Sequence, residues 1–116
     1  MASRLEVERF LAEFYVKYNI FDIRFISRTS TKNVDTLVNL EVSTLKRRQI
    51  IESLTVANYV AGPIDDVLYG IASLWVFGYR HNGHEIYIKI SLGHLNLSVT
   101  CISFHIAEHP MFYPFN

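Results

Sequence analysis

Residues 74–91 read LWVFGYRHNGHEIYIKIS, and this stretch decides the fold. Two runs rich in β-branched and aromatic residues, 74–79 and 85–91, flank Arg80-His81-Asn82-Gly83-His84. Asn-Gly suits the tight hairpin turn, whose two central residues both need positive φ. In the second run Ile86, Ile88 and Ile90 alternate with Glu85, Tyr87, Lys89 and Ser91. Successive strand side chains point to opposite faces, so the isoleucines form a core face and the others a polar one.

The pattern extends in both directions. Downstream, residues 99–105 form a third run, joined through 92–98, which contains Gly93 and Asn96. Three sequential strands with short connections predict an antiparallel meander. The tail, residues 106–116, holds two prolines and three aromatics, which predicts irregular packed chain. Upstream, residues 61–70 contain Gly62-Pro63 and Asp65-Asp66. They read as a structured loop, tied to the core by Ile64, Val67 and Leu68. Adjacent carboxylates diverge on any regular element, so Asp65 and Asp66 suit capping or turn formation.

The N-terminal half reads as helix. Ser3 and Glu6 have capping-box spacing. Leu5, Val7, Phe10, Leu11, Phe14 and Tyr15 give helical apolar spacing, and Asn19 can end the helix. Residues 20–26 alternate Phe21, Ile23 and Phe25 with Asp22 and Arg24, a half-buried strand. The polar stretch 27–33 (SRTSTKN) is loop, exposing Arg28 and Lys32. Asn33 can cap a short helix carrying Val34, Leu37 and Leu40. Ser43 or Thr44 caps the next, in which Leu45, Ile50, Ile51 and Leu54 face inward. Its other face carries Lys46, Arg47, Arg48 and Gln49, either a solvated surface or an RNA contact.

The expected fold is therefore α+β: an antiparallel sheet of about four strands with helices on one face, forming one domain over residues 1–116. The chain has 116 residues, half of them hydrophobic, with eleven basic against eleven acidic side chains and one cysteine. Such apolar content excludes intrinsic disorder. A single cysteine cannot form an internal disulfide, which favours a reducing, cytoplasmic setting. No apolar run approaches the roughly 20 residues of a membrane span, and the first residues offer no signal-peptide core. Net neutrality excludes a broad basic coat for nucleic acid and argues against DNA binding by the chain alone. It leaves room for a confined RNA site, because the basic residues fall together at 28–32, at 46–48, and at Arg80 with Lys89.

Strand phase nominates that site. If Ile102 and Phe104 join the isoleucines, Ser103 and His105 share the polar face with Tyr87 and Lys89. Cleaving RNA through its own 2′-hydroxyl needs a base, an acid and positive charge on the phosphate oxygens. Histidine can fill either proton-transfer role, lysine or arginine the electrostatic one, and tyrosine can donate or stack. A polar solvent face of an ordinary sheet is the alternative reading. Two histidine pairs, His81 with His84 and His105 with His109, also raise the question of zinc. Pro110 disfavours helix at the second pair and neither has an obvious third ligand, so no metal or other cofactor is assigned. Cys101 lies mid-strand as a small core or sheet residue.

The C-terminal half resembles the MqsR (motility quorum-sensing regulator) family of toxins from type II toxin–antitoxin systems. The resemblance is carried by Ala57-Asn58-Tyr59, by Leu74-Trp75 leading to Tyr79, by Glu85-Ile86-Tyr87-Ile88-Lys89-Ile90, and by Ile102-Ser103-Phe104-His105. It is similar above all to a branch with Gly-Pro before the tryptophan, a Trp-Val-Phe-Gly segment, and a C-terminus like residues 101–110. It covers about residues 33–115. It implies a RelE-like fold, metal-independent endoribonuclease activity on messenger RNA, and neutralisation by a cognate antitoxin protein from an adjacent gene. It places Tyr87 at the family's strand tyrosine and His105 at its final-strand lysine. A histidine there makes activity more sensitive to pH near neutrality. The chain departs from the pattern at Val60, where the family has a lysine, and at Val76, where it has a glutamine. His105, Tyr87, Lys89 and Arg80 are thus the expected catalytic residues, with Arg28, Lys32, Lys46, Arg47 and Arg48 as expected RNA contacts. The competing expectation is a catalytically degenerate module of the same fold that binds only a partner protein, using the aromatic tail 111–115.

Overall fold

A computed structural model describes residues 1–26 and 42–116. The expected loop 27–33, with Arg28 and Lys32, and the short helix after Asn33 lie outside the described residues. The fold is α+β, with two α-helices and one five-stranded sheet among the described residues. No helix there is long and apolar enough to cross a membrane.

Helix α1 (Arg4–Phe21) starts on the expected capping box. Ser3 Oγ accepts from the Glu6 N–H at 3.2 Å, and Glu6 Oε1 accepts from the Ser3 N–H at 2.9 Å. Both orphan donors of the first turn are satisfied reciprocally. The helix buries Val7, Phe10, Leu11, Phe14 and Tyr18, leaves Leu5 exposed, and runs past Asn19. Strand β1 (Ile23–Phe25) is accordingly shorter than its alternating pattern suggests. The ladder spans these three residues, in parallel register with Val99, Thr100 and Cys101. It is flanked by single main-chain bonds from the Val99 N–H to the Asp22 carbonyl and from the Ile26 N–H to the Cys101 carbonyl. Helix α2 (Thr44–Glu52) is capped by Ser43, whose Oγ accepts from the Lys46 N–H at 3.0 Å. Ile50, Ile51 and Leu54 are buried as expected, whereas Leu45, in the first turn, is 66 % exposed.

A one-turn 3₁₀ helix (Val56–Asn58) leads into β2 (Tyr59–Ile64), a strand where the sequence reads as loop. Its pairing with β3 is broken by two register shifts, which is why no period-two pattern marks it. Gly62 has φ +120°, and a Cβ there would meet the Leu74 carbonyl oxygen at 2.9 Å. Ile64, Val67 and Leu68, expected to tie the following loop to the core, are all exposed. Asp66 holds the loop instead, its carboxylate accepting from the N–H groups of Leu68, Tyr69 and Ile71.

Strands β3 (Leu74–His81), β4 (His84–Ser91) and β5 (Val99–Ile106) form the expected meander. Asn82 and Gly83 both have positive φ, 51° and 80°, closing the β3–β4 hairpin. The sheet order is β1-β5-β4-β3-β2, antiparallel except at β1–β5. Ile86, Ile88 and Ile90 are fully buried with Phe77, Phe104 and the apolar face of α1. Each such side chain contributes about 1.5–3 kcal/mol relative to an exposed one.

The phase of β5 differs from expectation at one point. Lys89 pairs with Ser103, but Ile90 pairs with Cys101, so Ile102 is the extra residue of a bulge. Val99 and Cys101 therefore join the core on one side of the bulge, and Phe104 joins it on the other. Ile102 is fully buried but lies outside that core. The expected face-sharing of Ser103 and His105 with Lys89 and Tyr87 holds, because all four lie beyond the bulge.

Candidate active site

The polar face of β4 and β5 forms the floor of a cleft of about 530 Å³, on the side of the sheet opposite the helices. Tyr87 stands opposite His105, and Lys89 opposite Ser103. All four line the cleft. The Tyr87 and His105 rings stack with centroids 5.1 Å apart and planes 15° apart. Lys89 Nζ lies 5.7 Å from the centre of the Tyr87 ring, within cation–π range.

His105 Nδ1 lies 2.9 Å from the Ile106 carbonyl oxygen. A carbonyl can only accept, so Nδ1 carries the hydrogen. In the neutral ring this leaves Nε2 with its lone pair, the state a general base needs. The stacking contact and the backbone bond together fix the ring's plane and its tautomer, which is how a proton-transfer group is held in readiness.

The C-terminal tail builds one wall, through residues 107–112. It can do so because β3 carries Gly78 directly opposite Tyr87. A Cβ at Gly78 would lie 2.3 Å from Tyr113 Oη and 2.8 Å from Met111 Cε, so the tail rests directly on bare backbone. Tyr113 Oη donates to Glu85 Oε2 at 2.6 Å, and Phe115 stacks on Tyr59 at 5.5 Å. Burial and the Glu85 contact both push the Tyr113 hydroxyl above its usual range. The wall adds Glu108, His109 and Phe112 to the site. In the sequence Glu108 and His109 lie just beyond the polar strand face, and His109 also pairs with His105 as a candidate metal ligand, whereas no pattern there gives Phe112 a place in the cleft. The usable signal was Gly78, since a glycine inside a strand marks close backbone approach.

The other expected site residues fall elsewhere. Arg80 does not line this cleft. It borders a neighbouring depression with His84 and Glu85 that shares residues 107–110 with the cleft. Lys46, Arg47 and Arg48 belong to α2, on the opposite side of the sheet, and none reaches the cleft. The Arg47 guanidinium lies 3.7 Å above the Phe25 ring, and its burial lowers its proton affinity. Arg48 pairs with Asp22 at 2.6 Å, which raises its own proton affinity and lowers that of the aspartate. Both arginines thus tie α2 to the α1–β1 junction. Their long side chains cover apolar rings there, a use that charge counting along a helix does not reveal.

Val60, at the position where the family resemblance implies lysine, lines the cleft from β2. Val76 is 2 % exposed and does not. Cys101 is buried, with its thiol pushed up to about 12, chiefly by loss of solvent. Among the described residues no three His, Cys, Asp or Glu side chains converge as a metal site. Comparison with protein families, curated proteins and solved structures returns no match.

Proposed function

We propose that this chain is an endoribonuclease that cleaves messenger RNA through its 2′-hydroxyl, and that it acts as the toxin of a toxin–antitoxin pair. The observation that carries this reading is the convergence of His105, Tyr87 and Lys89 on one cleft floor. The toxin assignment rests on the family resemblance, and the cytoplasmic setting on the single cysteine. In the proposed reaction His105 Nε2 takes the proton from the 2′-hydroxyl, and the oxygen attacks the adjacent phosphorus. Lys89 stabilises the negative charge that accumulates on the non-bridging oxygens. Tyr87 holds the His105 ring and donates a hydrogen bond to the phosphate. The 5′-oxygen leaves as the alcohol with a proton taken from water, His105 returns its own proton to solvent, and the product carries a 2′,3′-cyclic phosphate.

The test is inducible expression of the wild type beside His105→Ala and Tyr87→Phe, followed by analysis of RNA ends. The wild type should arrest growth and produce 2′,3′-cyclic termini. Removing a general acid–base group should slow cleavage by about 10²–10⁴-fold. Absence of both arrest and cyclic termini in the wild type refutes the proposal. A second reading, a non-catalytic partner-binding module, is favoured by Val60 in the cleft wall, since valine binds no phosphate. It predicts that no RNA pool is cut, while a stable complex forms with the product of a neighbouring gene.

A further inference from the structure

Phe112 is 76 % exposed although the tail around it is anchored on both sides. Met111 and Tyr113 rest on Gly78, Tyr113 is bonded to Glu85, and Phe115 stacks on Tyr59. The ring also lines the cleft that holds Lys89 and His105. An exposed aromatic on a fixed backbone, beside a cationic and titratable floor, offers a flat apolar surface within one cleft of a phosphate-binding group. That pairing fits a nucleotide whose base is unstacked from its neighbours.

We propose that Phe112 is a stacking platform for an unpaired nucleobase flanking the phosphate held at Lys89 and His105, which makes the substrate single-stranded at that point. The inference rests on the ribonuclease reading and deepens it. A base inside a duplex is already stacked on both faces and cannot offer itself to the ring. The aromatic contact is tolerant of base identity, because every base has a π face. Phe112 therefore contributes affinity and strand state, and leaves any sequence preference to other groups.

The test uses fluorescence anisotropy with a 2′-fluoro RNA of about 12 nucleotides, within the usual span of single-strand sites. This probe lacks the nucleophile and is bound without being cut. Phe112→Ala should weaken single-strand binding about 5- to 150-fold, while Phe112→Trp retains it. The same oligonucleotide annealed to its complement should bind weakly and equally to all three proteins. In a series carrying one abasic position at a time, one position should reproduce the loss in the wild type and add nothing in Phe112→Ala. Equal single-strand affinity for wild type and Phe112→Ala overturns the inference, as does an equal loss on the duplex. Unchanged RNA binding with loss of a protein complex would make Phe112 a protein-docking residue and also overturn it. Cleavage assays separate the two claims. Wild-type cleavage with an unaltered KM in Phe112→Ala defeats the platform alone. Phe112-dependent binding without cleavage defeats the ribonuclease reading alone, and failure to bind or cleave defeats both.

Discussion

Substituting Gly78 by alanine probes the seat of the tail, and its expected sign is opposite to the usual one. Gly78 sits inside a strand at an ordinary negative-side backbone conformation, since it is not among the positive-φ residues. At an open strand position, replacing glycine by alanine stabilises by about 0.5–1 kcal/mol. Here the added methyl would lie 2.3 Å from Tyr113 Oη and 2.8 Å from Tyr113 Cε1 and Met111 Cε. The methionine end can swing aside. The tyrosine cannot, because its hydroxyl is bonded to Glu85 at 2.6 Å. Overpacking of this kind costs about 1–3 kcal/mol. Net of the propensity gain, Gly78→Ala should destabilise the protein by about 1–2 kcal/mol. Urea unfolding followed by circular dichroism measures this directly, and the melting temperature should fall by about 3–10 °C.

The decisive comparison is a double-mutant cycle. With Tyr113→Ala in place the clash is gone, and Gly78→Ala should become stabilising by about 0.5–1 kcal/mol. The change of sign isolates the tail contact from any general effect on the strand. A Gly78→Ala protein as stable as the wild type, or an equal loss in both backgrounds, would refute the argument that the tail rests on this glycine. Because the same segment forms the cleft wall beside Tyr87, the proposed ribonuclease function adds that the substitution should raise KM for RNA more than it lowers kcat.

Three further expectations follow from buried or bonded groups. Cys101, with its thiol raised to about 12 by burial, should resist thiol reagents at pH 8 in the native protein and react at once in urea; rapid native labelling would contradict its burial. The raised value also means that stability is full below the unfolded thiol's range and declines as pH climbs from about 8.5 toward about 12. Tyr15 Oη donates toward the carbonyls of Ile51 and Leu54, 2.7 Å from each. Tyr15→Phe should cost about 1–3 kcal/mol by taking the hydroxyl donor from the Leu54 carbonyl, while the Ile51 carbonyl keeps the Leu54 N–H; the loss is read as a lower urea midpoint with unchanged slope. The N–H of Ile71, followed by those of Leu68 and Tyr69, holds the Asp66 carboxyl below its usual range. The loop's hold is thus complete above the ordinary carboxylate value and lost as pH falls through the lowered one. Amide exchange at Leu68, Tyr69 and Ile71 should accelerate on that descent, and Asp66→Ala should exchange fast at every pH.

The sequence by itself determined the features whose cause is local. The β3–β4 hairpin follows from Asn82-Gly83 and the alternation of Ile86, Ile88 and Ile90. The start of α1 follows from the Ser3–Glu6 pair and that of α2 from Ser43-Thr44, of which the structure uses Ser43 as the cap. The gathering of Tyr87, Lys89, Ser103 and His105 was legible from strand period and the adjacency of sequential strands, although the structure reaches it through the bulge at Ile102 rather than by unbroken alternation along β5. These rules act within one element or between neighbours, so they are written in residue spacing.

Only the tertiary structure decided the rest. Strand β2 has no alternation of its own and is a strand because β3 offers it partners on either side of two register shifts. Residues 23–25 pair parallel with β5 across more than half the chain. The bulge at Ile102 chose Cys101 for the core. Arg47 and Arg48 were drawn into contacts with Phe25 and Asp22, and Arg80 was set outside the cleft. The tail's return over Gly78 added His109 and Phe112 to the site. Each of these depends on contacts between residues distant in sequence, where the free energy comes from how whole surfaces fit together. Local spacing carries no record of that fit.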